Sequence, residues 1–410
     1  MSSISRRFLL ALASLALSFS AQAAPAAVAK VVGVYVPGWE SEALLDKLQP
    51  GSVTHLLYAF LRICGPAELA ADKAVCAGKP EFEFNDGERE QRFDKAFAKL
   101  KKRLPEAKVV ASVGGWGGSD PLFILAAEPA KRAKFAASVT RYLREHPAFD
   151  GIDIDWEHPG NNGNVNGIKL GGPEDARNYA LLMQGLRIAL DALGRETGRS
   201  YLLTTAVNVG RGVIANIDFR AAAPALDLVF MMSYDYYGPW SPQAGHHTQL
   251  YPSGPEADDS LASSIVNLDA AGVPRSKMVA GVAMYARGFA GVADPKTGAA
   301  KTGNWPAESN GELLYRDIAK RYLDAQGRGR EGFELIHDKL TGADALYNKA
   351  LQAYIAFDTP ASARAKAVYA RAQGLAGVFA WEFSQDNGDI LKAMKQGVDQ
   401  PAEAGKKSPR

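Results

Sequence analysis

The sequence predicts an α/β fold, namely a closed (β/α)8 TIM barrel with a small α+β insertion lobe between strand 7 and strand 8. Eight short apolar runs alternate with longer helical patterns, and such runs are typical of parallel strands that are covered on both faces. No G-x-G-x-x-G follows the first run, which weakens the alternative of an open, nucleotide-binding sheet. The barrel is expected to occupy residues 28–400.

The first four candidate strands are KVVGVYV, THLLYAFL, AKVVASVGG and DGIDIDWE, and helical patterns such as REQRFDKAFAKLKKRL follow them. The last four are YLLTTAV, DLVFMMSY, KMVAGVAMY and GVFAWEFS. One connection is much longer than a single crossover helix, because residues 288–356 separate strands 7 and 8. Long unstructured loops are uncommon in compact domains, so we expect these residues to form a folded lobe beside the cleft.

Both ends of the chain are expected to lie outside the barrel. Arg6 and Arg7 precede an apolar run that ends in small residues near Ala23, which predicts a signal peptide over residues 1–23. The run is shorter than the roughly 20 residues that span a bilayer, so no membrane contact is expected after cleavage. The chain is therefore expected to be exported, either secreted or periplasmic. Residues 401–410 are polar and are expected to be disordered.

The composition indicates which kind of molecule the chain can bind. The formal net charge is +2, from 47 basic and 45 acidic residues, so no broad basic field is available to attract nucleic acid. A neutral or small-molecule partner is expected, with a monomeric chain and no cofactor. Cys64 and Cys76 are the only cysteines, and in an oxidising compartment they predict a local disulfide rather than a metal or catalytic site.

The fourth strand carries an unusual row of acids. Since side chains alternate faces along a strand, Asp153, Asp155 and Glu157 share one face of FDGIDIDWEHPG. The apolar residues between them must face the helices, so the acids point into the barrel and toward its C-terminal rim, where barrel enzymes keep their active sites. Burial disfavours ionised carboxylates, and we expect shared protons and raised pKa values. Asp150 is out of phase and is interpreted as structural or as a distant tuner.

The acid row has two other possible interpretations. The acids could be capped by backbone amides or paired with interior cations, which is plausible for one Asp and less so for three in phase. Clustered carboxylates also suit Mg²⁺ or Mn²⁺. The neighbouring strand ends supply aromatic rings rather than further oxygen ligands, so no metal is expected. His246 and His247 lie in a loop, where solvated or turn-stabilising histidines are favoured over a metal pair.

Aromatic residues gather at the predicted strand ends. Sugar rings stack their C–H faces on aromatic planes, and acids beneath an aromatic groove are typical of a glycosidase. The rings are those of Tyr35, Trp39, Tyr58, Phe60, Trp116, Trp156, Tyr234, Tyr236, Tyr237, Trp240, Tyr285 and Trp381.

These motifs together resemble glycoside hydrolase family 18, the chitinases and their relatives. DGIDIDWE is similar to the family signature D-x-x-D-x-D-x-E, and ASVGG to its S-x-G-G motif on the third strand. MMSYDYYG, YARGF and the closing segment ending in WEFSQD resemble further family motifs, in the family's order, over nearly all of the expected mature chain. Ala283 and Ala286 stand where chitinases commonly carry Pro and Gly, which puts the shape of the sugar subsites, rather than catalysis, in doubt.

The resemblance implies a bacterial, exported chitinase that uses substrate-assisted catalysis. By resemblance, Glu157 is the general acid, Asp155 orients the substrate's acetamido group, and Asp153 shares a proton with Asp155. Tyr234 would donate to the acetamido oxygen, and Asp235 would contact the substrate. The expected lining residues of the cleft are Tyr35, Phe60, Trp116, Met232, Arg287 and Trp381.

The expected partner is chitin or a chitooligosaccharide. Two alternatives remain open: an endo-β-N-acetylglucosaminidase acting on peptidoglycan or N-glycans, and a chitin-binding lectin on the same scaffold. The presence of Glu157 with both aspartates favours an enzyme over a lectin.

Overall fold

The computed structural model describes residues 30–66, 69 and 76–400. The predicted signal peptide at residues 1–23 and the predicted disordered tail at residues 401–410 lie outside the described residues. Within the described ranges, no helix combines the length and the apolar character needed to cross a membrane.

Eight parallel strands close into a barrel, as the sequence predicts. The first strand pairs with the second and also with the last, with Val31 opposite Gly377, and this pairing closes the sheet. The barrel strands are β1 (Val31–Pro37), β2 (His55–Ala59), β3 (Lys108–Gly114), β4 (Gly151–Asp155), β5 (Leu202–Asn208), β6 (Leu228–Met232), β7 (Met278–Ala283) and β8 (Gly377–Trp381).

Helices cover the outside of the barrel and bury the apolar outer faces of the strands. Sequence features set their ends: Thr359 and Ser362, for example, form a capping box at the start of the last crossover helix. The longer helices are Glu88–Arg103, Asp120–Ala127, Pro129–Glu145, Asp175–Thr197, Leu261–Ala271, Tyr315–Tyr322, Pro360–Ala372 and Asp389–Asp399. Shorter helical turns are Glu42–Lys47, Arg211–Ile214, Phe219–Ala222, Ala223–Ala225, Arg275–Lys277, Ala307–Ser309 and Phe383–Gln385.

The insertion lobe between β7 and β8 is an antiparallel sheet with one helix, Tyr315–Tyr322. Its first strand, Tyr285–Ala290, is central and pairs with Ala353–Phe357 on one side. The remaining lobe strands are Gly303–Asn304, Glu312–Leu314, Glu334–Asp338 and Ala343–Asn348. A separate two-stranded ladder joins Gln243–Ala244, in the loop after β6, to Ala299–Ala300 in the lobe. The lobe is therefore attached to the barrel rim as well as to β7.

The predicted seventh strand is wrong at its C-terminal end. The sequence suggests one strand through Tyr285, but β7 ends at Ala283 and Tyr285 begins the first strand of the lobe sheet. Only Met284 separates the two strands, and its N–H donates to the carbonyl of Trp381 on β8. No Gly or Pro marks this change of sheet, so the apolar run reads as continuous.

Two smaller predictions can be compared with the structure. Cys64 and Cys76 form the predicted disulfide, with their Cα atoms 5.4 Å apart. Asp150 lies immediately before β4, where its Oδ2 accepts hydrogen bonds from the Val109 N–H at 2.8 Å and from Lys101 Nζ at 2.5 Å. The structure therefore supports the structural interpretation of Asp150.

A buried ion pair connects the lobe to the barrel. Lys366 Nζ lies 2.7 Å from Asp358 Oδ2, and both side chains are almost completely inaccessible to solvent. The same carboxylate oxygen accepts the backbone N–H of Ala283, at the end of β7, at 3.0 Å. Thr248, from the loop after β6, donates to it at 2.8 Å. One carboxylate thus joins the end of the lobe, β7 and the β6 loop.

We predict that Lys366→Met destabilises the protein by about 3–5 kcal/mol, because it leaves the buried Asp358 charge without its cation. Differential scanning calorimetry should show a clearly lower Tm. Arg144→Met is the matched control, since Arg144 pairs with Glu196 at the surface and the variant should keep the wild-type Tm. The double variant Lys366→Met/Asp358→Asn should recover part of the loss, because Asn removes the charge and keeps an oxygen that can accept from Ala283 and Thr248. A wild-type Tm for Lys366→Met alone would contradict the assignment.

Candidate active site

The alternation of β4 separates its acids from its apolar residues. Ile152 and Ile154 are completely buried in the layer between barrel and helices. Trp156 continues this apolar face, with its ring 5.0 Å from Phe123 in an edge-on contact. Asp153 and Asp155 alternate with these residues and Glu157 follows Trp156, so the three acids point to the barrel interior and its C-terminal rim.

Asp153 is the innermost acid, and hydroxyl groups from three strands surround it. Tyr35 on β1 and Ser112 on β3 donate to its Oδ2 at 2.9 and 2.8 Å. Thr204 on β5 donates to Oδ1 at 2.6 Å. Burial raises the pKa of Asp153, while the three hydroxyl donors act in the opposite direction by stabilising its charged form.

Asp155 is buried among like charges with little compensation. It is 3% exposed, and its Oδ1 has no hydrogen-bond partner among the described residues. Burial, followed by the charges of Glu157 and Asp153, raises the pKa of Asp155 well above its usual range. Since Asp153 has three donors, a proton shared between the two aspartates is better placed on Asp155.

Glu157 lies at the rim with its side chain 15% exposed. Burial and then the nearby charge of Asp235 raise the pKa of Glu157 to about 8, against an opposing hydrogen bond from the Trp116 backbone. The carboxyl is therefore protonated at neutral pH and can act as a general acid. Ser119 fixes the backbone here, because its Oγ donates to the carbonyl of Asp155 at 2.9 Å and accepts the N–H of Glu157 at 3.0 Å.

Two glycines at the end of β3 make room for this arrangement. Gly114 has φ +104°, and a Cβ there would lie 2.1 Å from the carbonyl oxygen of Asp155. Gly115 has φ +78°, and a Cβ there would lie 2.5 Å from the Phe60 ring. Both positions therefore require glycine, which gives a physical reason for the pair in ASVGG.

Asp235 and Arg287 form a second charged pair at the rim. Arg287, on the first lobe strand, donates from Nε and Nη2 to the two oxygens of Asp235 at 2.8 and 2.9 Å. Burial alone would raise the pKa of Asp235, but the facing His247 and Arg287 lower it overall. His247 Nδ1 is 3.5 Å away, so the bidentate guanidinium is the stronger partner. Asp235 therefore stays ionised near Glu157.

Tyr234 is buried close to Asp155 and Asp235, and it is 7% exposed. Burial, followed by the charge of Asp155 and then of Asp235, raises the pKa of its phenol well above the usual range. The hydroxyl therefore keeps its proton at any working pH and remains a hydrogen-bond donor.

His246 and His247 were expected to be either solvated or turn-stabilising, and the solvated alternative is wrong. They are 2% and 0% exposed because the loop that carries them is enclosed between the barrel and the lobe. His246 contacts the hydroxyl of Tyr354 at 3.0 Å. His247 lies between Asp235 and the carbonyl oxygen of Tyr285, which is 3.2 Å from Nε2. Within the described ranges, no three His, Cys, Asp or Glu side chains form a group that could hold a metal ion.

Aromatic rings form the floor and the edges of the site. Trp381, at the end of β8, lies 5.7 Å from Phe60 in a stacked arrangement and 5.2 Å from Tyr35. Met232 belongs to the same interior cluster. Trp116 lies elsewhere on the rim, with its ring 6.0 Å from that of His158. Three tryptophans are largely exposed: Trp39 at 56%, Trp116 at 59% and Trp240 at 62%.

Most of the predicted site residues therefore share one rim, while several of their partners were missed. The missed partners are Thr204 beside Asp153, Ser119 beside Glu157, and the two histidines that contact ionisable site residues, His158 and His247. Thr204 could have been found, because it lies in YLLTTAV, on the strand adjacent to DGIDIDWE. The sequence carries no comparable indication for His247.

We predict that Glu157→Gln stabilises the protein at alkaline pH. The folded state holds the Glu157 proton up to about pH 8, whereas an unfolded Glu releases it near its ordinary pKa of 4.5, so this contribution to stability is lost progressively between pH 4.5 and about pH 8. Gln stays neutral, so the variant should match wild type near pH 5 and have the higher Tm at pH 9. The effect should be a few kcal/mol at most, at about 1.4 kcal/mol per pKa unit.

Thermal unfolding at pH 5, 7 and 9 provides the measurement, with Glu196→Gln as the control. Glu196 pairs with Arg144 at the surface, and its pKa is lowered chiefly by that hydrogen bond. Its Tm difference from wild type should stay constant over this range. A constant difference for Glu157→Gln as well would show that Glu157 ionises normally.

Comparison with known sequences gives a family match and related proteins. The family model "Glycosyl hydrolases family 18" matches residues 31–386. Chitinase A of Pseudoalteromonas piscicida is 34% identical over 90% of this chain and 52% of that protein. A probable endochitinase of Orgyia pseudotsugata multicapsid polyhedrosis virus is 33% identical over 89% of this chain and 70% of that protein. The chain thus spans about half the length of the first relative and about two thirds of the second.

Solved structures agree on the fold. A glycoside hydrolase family 18 N-acetylglucosaminidase from Paenibacillus barengoltzii has a TM-score of 0.74 and 30% identity, over 90% of this chain and 99% of that one. A class V chitinase from Nicotiana tobaccum, solved in complex with NAG4, has a TM-score of 0.74 and 26% identity over the same shares. On the match of the family model to most of its length, this chain belongs to glycosyl hydrolase family 18.

Proposed function

We propose that the protein is a chitinase, a retaining hydrolase of β-1,4-linked N-acetylglucosamine polymers that uses substrate-assisted catalysis. The observation that carries this proposal is the row of three acids along and just after β4, in which Glu157 is protonated at neutral pH beside a buried, partly unpartnered Asp155. Relatives named as chitinases, at 30–34% identity over most of the chain, support the substrate class.

In the first step, Glu157 transfers its proton to the glycosidic oxygen as the bond from that oxygen to the anomeric carbon breaks. The carbonyl oxygen of the substrate's 2-acetamido group attacks the anomeric carbon from the opposite face and forms an oxazolinium ion. The departing sugar leaves as an alcohol, and Glu157 is left as a carboxylate. The raised pKa of Glu157 suits this step, since the acid must hold its proton until the transition state.

Asp155 and Tyr234 position the acetamido group during this attack. Asp155 orients the amide and stabilises its developing positive charge, and Asp153 accepts part of the shared proton as that charge grows. Three hydroxyl donors keep Asp153 ionised and fixed in place until the proton moves toward it. Tyr234 donates to the acetamido oxygen. Preorganised groups of this kind need little rearrangement as charge develops.

In the second step, the Glu157 carboxylate takes a proton from a water molecule, and the resulting hydroxide attacks the anomeric carbon. The oxazolinium ring opens, the acetamido group is restored, and Glu157 is again protonated. Two displacements at one carbon give overall retention of configuration.

The exposed tryptophans favour a polymer over a single sugar. Trp39 lies 6.2 Å from Trp381, and Trp116 lies beside His158, next to the general acid. Aromatic planes in both places offer stacking surfaces beyond the sugar that undergoes cleavage. Arg287 also lies over the exposed Trp240 ring at 5.3 Å and holds it at the lobe side of the rim.

An endo-β-N-acetylglucosaminidase that acts on peptidoglycan or N-glycans is the second candidate, because one similar solved structure is named an N-acetylglucosaminidase. Parallel assays on chitin oligosaccharides, peptidoglycan and an N-glycan would separate the two. We also propose that the chain is an exported, monomeric bacterial protein. The Cys64–Cys76 disulfide agrees with an oxidising compartment.

We predict that Glu157→Gln hydrolyses N-acetylchitooligosaccharides about 10²–10⁴-fold more slowly than wild type, because the acid is lost while the groove is kept. Binding, followed by calorimetry, should be retained. Glu196→Gln, the surface control, should cleave at the wild-type rate, and EDTA should leave wild-type activity unchanged. If wild type binds these oligosaccharides and never cleaves them, the protein is a lectin or acts on another glycan.

A further inference from the structure

His158 directly follows the general acid and is not used in the mechanism above. Its Nε2 lies 3.5 Å from Glu157 Oε2, and its side chain is 19% exposed. Its Nδ1 is buried without a hydrogen-bond partner among the described residues. The centre of the Trp116 ring lies 6.0 Å from that of the imidazole. The imidazole therefore lies between Glu157 and the exposed Trp116 ring.

The surroundings of the imidazole select one of its forms. Burial lowers the pKa of His158 to about 4, so the ring is neutral at any working pH above 5. A neutral imidazole carries one N–H and one lone pair. A proton on Nδ1 would bury an N–H without an acceptor, which is rarer and costlier than an unused lone pair. The proton is therefore better placed on Nε2, where it faces Glu157.

We propose that His158 is a positioning residue for Glu157: its neutral imidazole donates through Nε2 to the Glu157 carboxylate that forms when the acid gives up its proton. At 3.5 Å the contact is long for a hydrogen bond, and such contacts tighten once charge appears on the acceptor. The N–H would hold the carboxylate in place while it activates water in the second step. This inference rests on the proposed function, since it assigns His158 a role in that reaction.

The backbone of Trp116 also donates to this carboxyl, but apart from His158 no described side chain is placed to do so. The titratable groups that influence Glu157 are Asp155, Asp235 and Tyr234. The two aspartates disfavour its ionised form. A neutral N–H donor acts in the opposite direction, because hydrogen bonds to a charged form stabilise that form.

The pH profile of kcat tests the proposal, because a merely structural residue would not shift it. His158→Phe keeps a ring of similar size and removes the donor. It should lower kcat about tenfold and move the alkaline limb, which reports Glu157, upward by about 0.5–1 pH unit. His158→Gln places an amide N–H near the position of Nε2 and should restore most of the rate and the wild-type limb. An unshifted limb in His158→Phe, or a downward shift, would overturn the proposal.

A measurement on the wild-type protein does not depend on activity or on the folding of a variant. The chain contains 6 histidines, so ¹⁵N-histidine NMR spectra are simple enough to assign, with His158→Gln identifying the signal of interest. We expect the His158 shifts of the Nε2–H tautomer from pH 5 to 9. The Nε2–H proton should move downfield as Glu157 ionises near pH 8.

An Nδ1–H tautomer, or an imidazolium form at neutral pH, would overturn the proposal even if the protein is an active chitinase. If wild type fails to cleave any glycan, the chitinase assignment falls. The tautomer and its response to Glu157 would still decide whether the imidazole donates to this carboxyl.

Discussion

The buried carboxyl of Asp155 is the constraint on which the site depends. It lies between Asp153 on β4 and Glu157 just beyond the strand, in an interior where three ionised carboxylates cannot coexist. The neighbouring groups stabilise the ionised forms of the three acids to different degrees. Asp153 has three hydroxyl donors, Asp155 has an oxygen with no described partner, and Glu157 faces the ionised Asp235. The acids therefore acquire different proton affinities from their surroundings rather than from their chemical type.

Residues of the lobe also influence which acids of the site are ionised. Arg287 belongs to the lobe sheet, and Asp235 lies on the barrel side of the site. The guanidinium of Arg287 keeps Asp235 ionised. Asp235 in turn is a main cause of the raised pKa of Glu157. The buried Lys366–Asp358 pair and the ladder between Gln243–Ala244 and Ala299–Ala300 fix the lobe against the barrel. The position of the lobe therefore influences the pKa of Glu157 through two contacts, Arg287 with Asp235 and Asp235 with Glu157.

The sequence predicts those parts of the molecule that follow from local periodicity. Alternation along DGIDIDWE predicts which face of β4 carries the acids, and eight apolar runs with helical crossovers predict the closed barrel. The end of β7 was mispredicted because Met284 and its neighbours form one apolar run across a change of sheet. His247 was misjudged because its burial depends on a lobe that is distant in sequence. Contacts between distant segments leave no periodic pattern, so neither feature could be predicted from local sequence.

The central claim is that the substrate's own acetamido group is the nucleophile in a site that keeps one carboxyl protonated and another ionised. The most direct test follows the anomeric proton signals of the first product formed from a N-acetylchitooligosaccharide, and compares cleavage of the fully deacetylated oligomer. We predict the β-anomer as first product and no measurable cleavage of the deacetylated oligomer. The α-anomer as first product, or equal cleavage of the two oligomers, would contradict it.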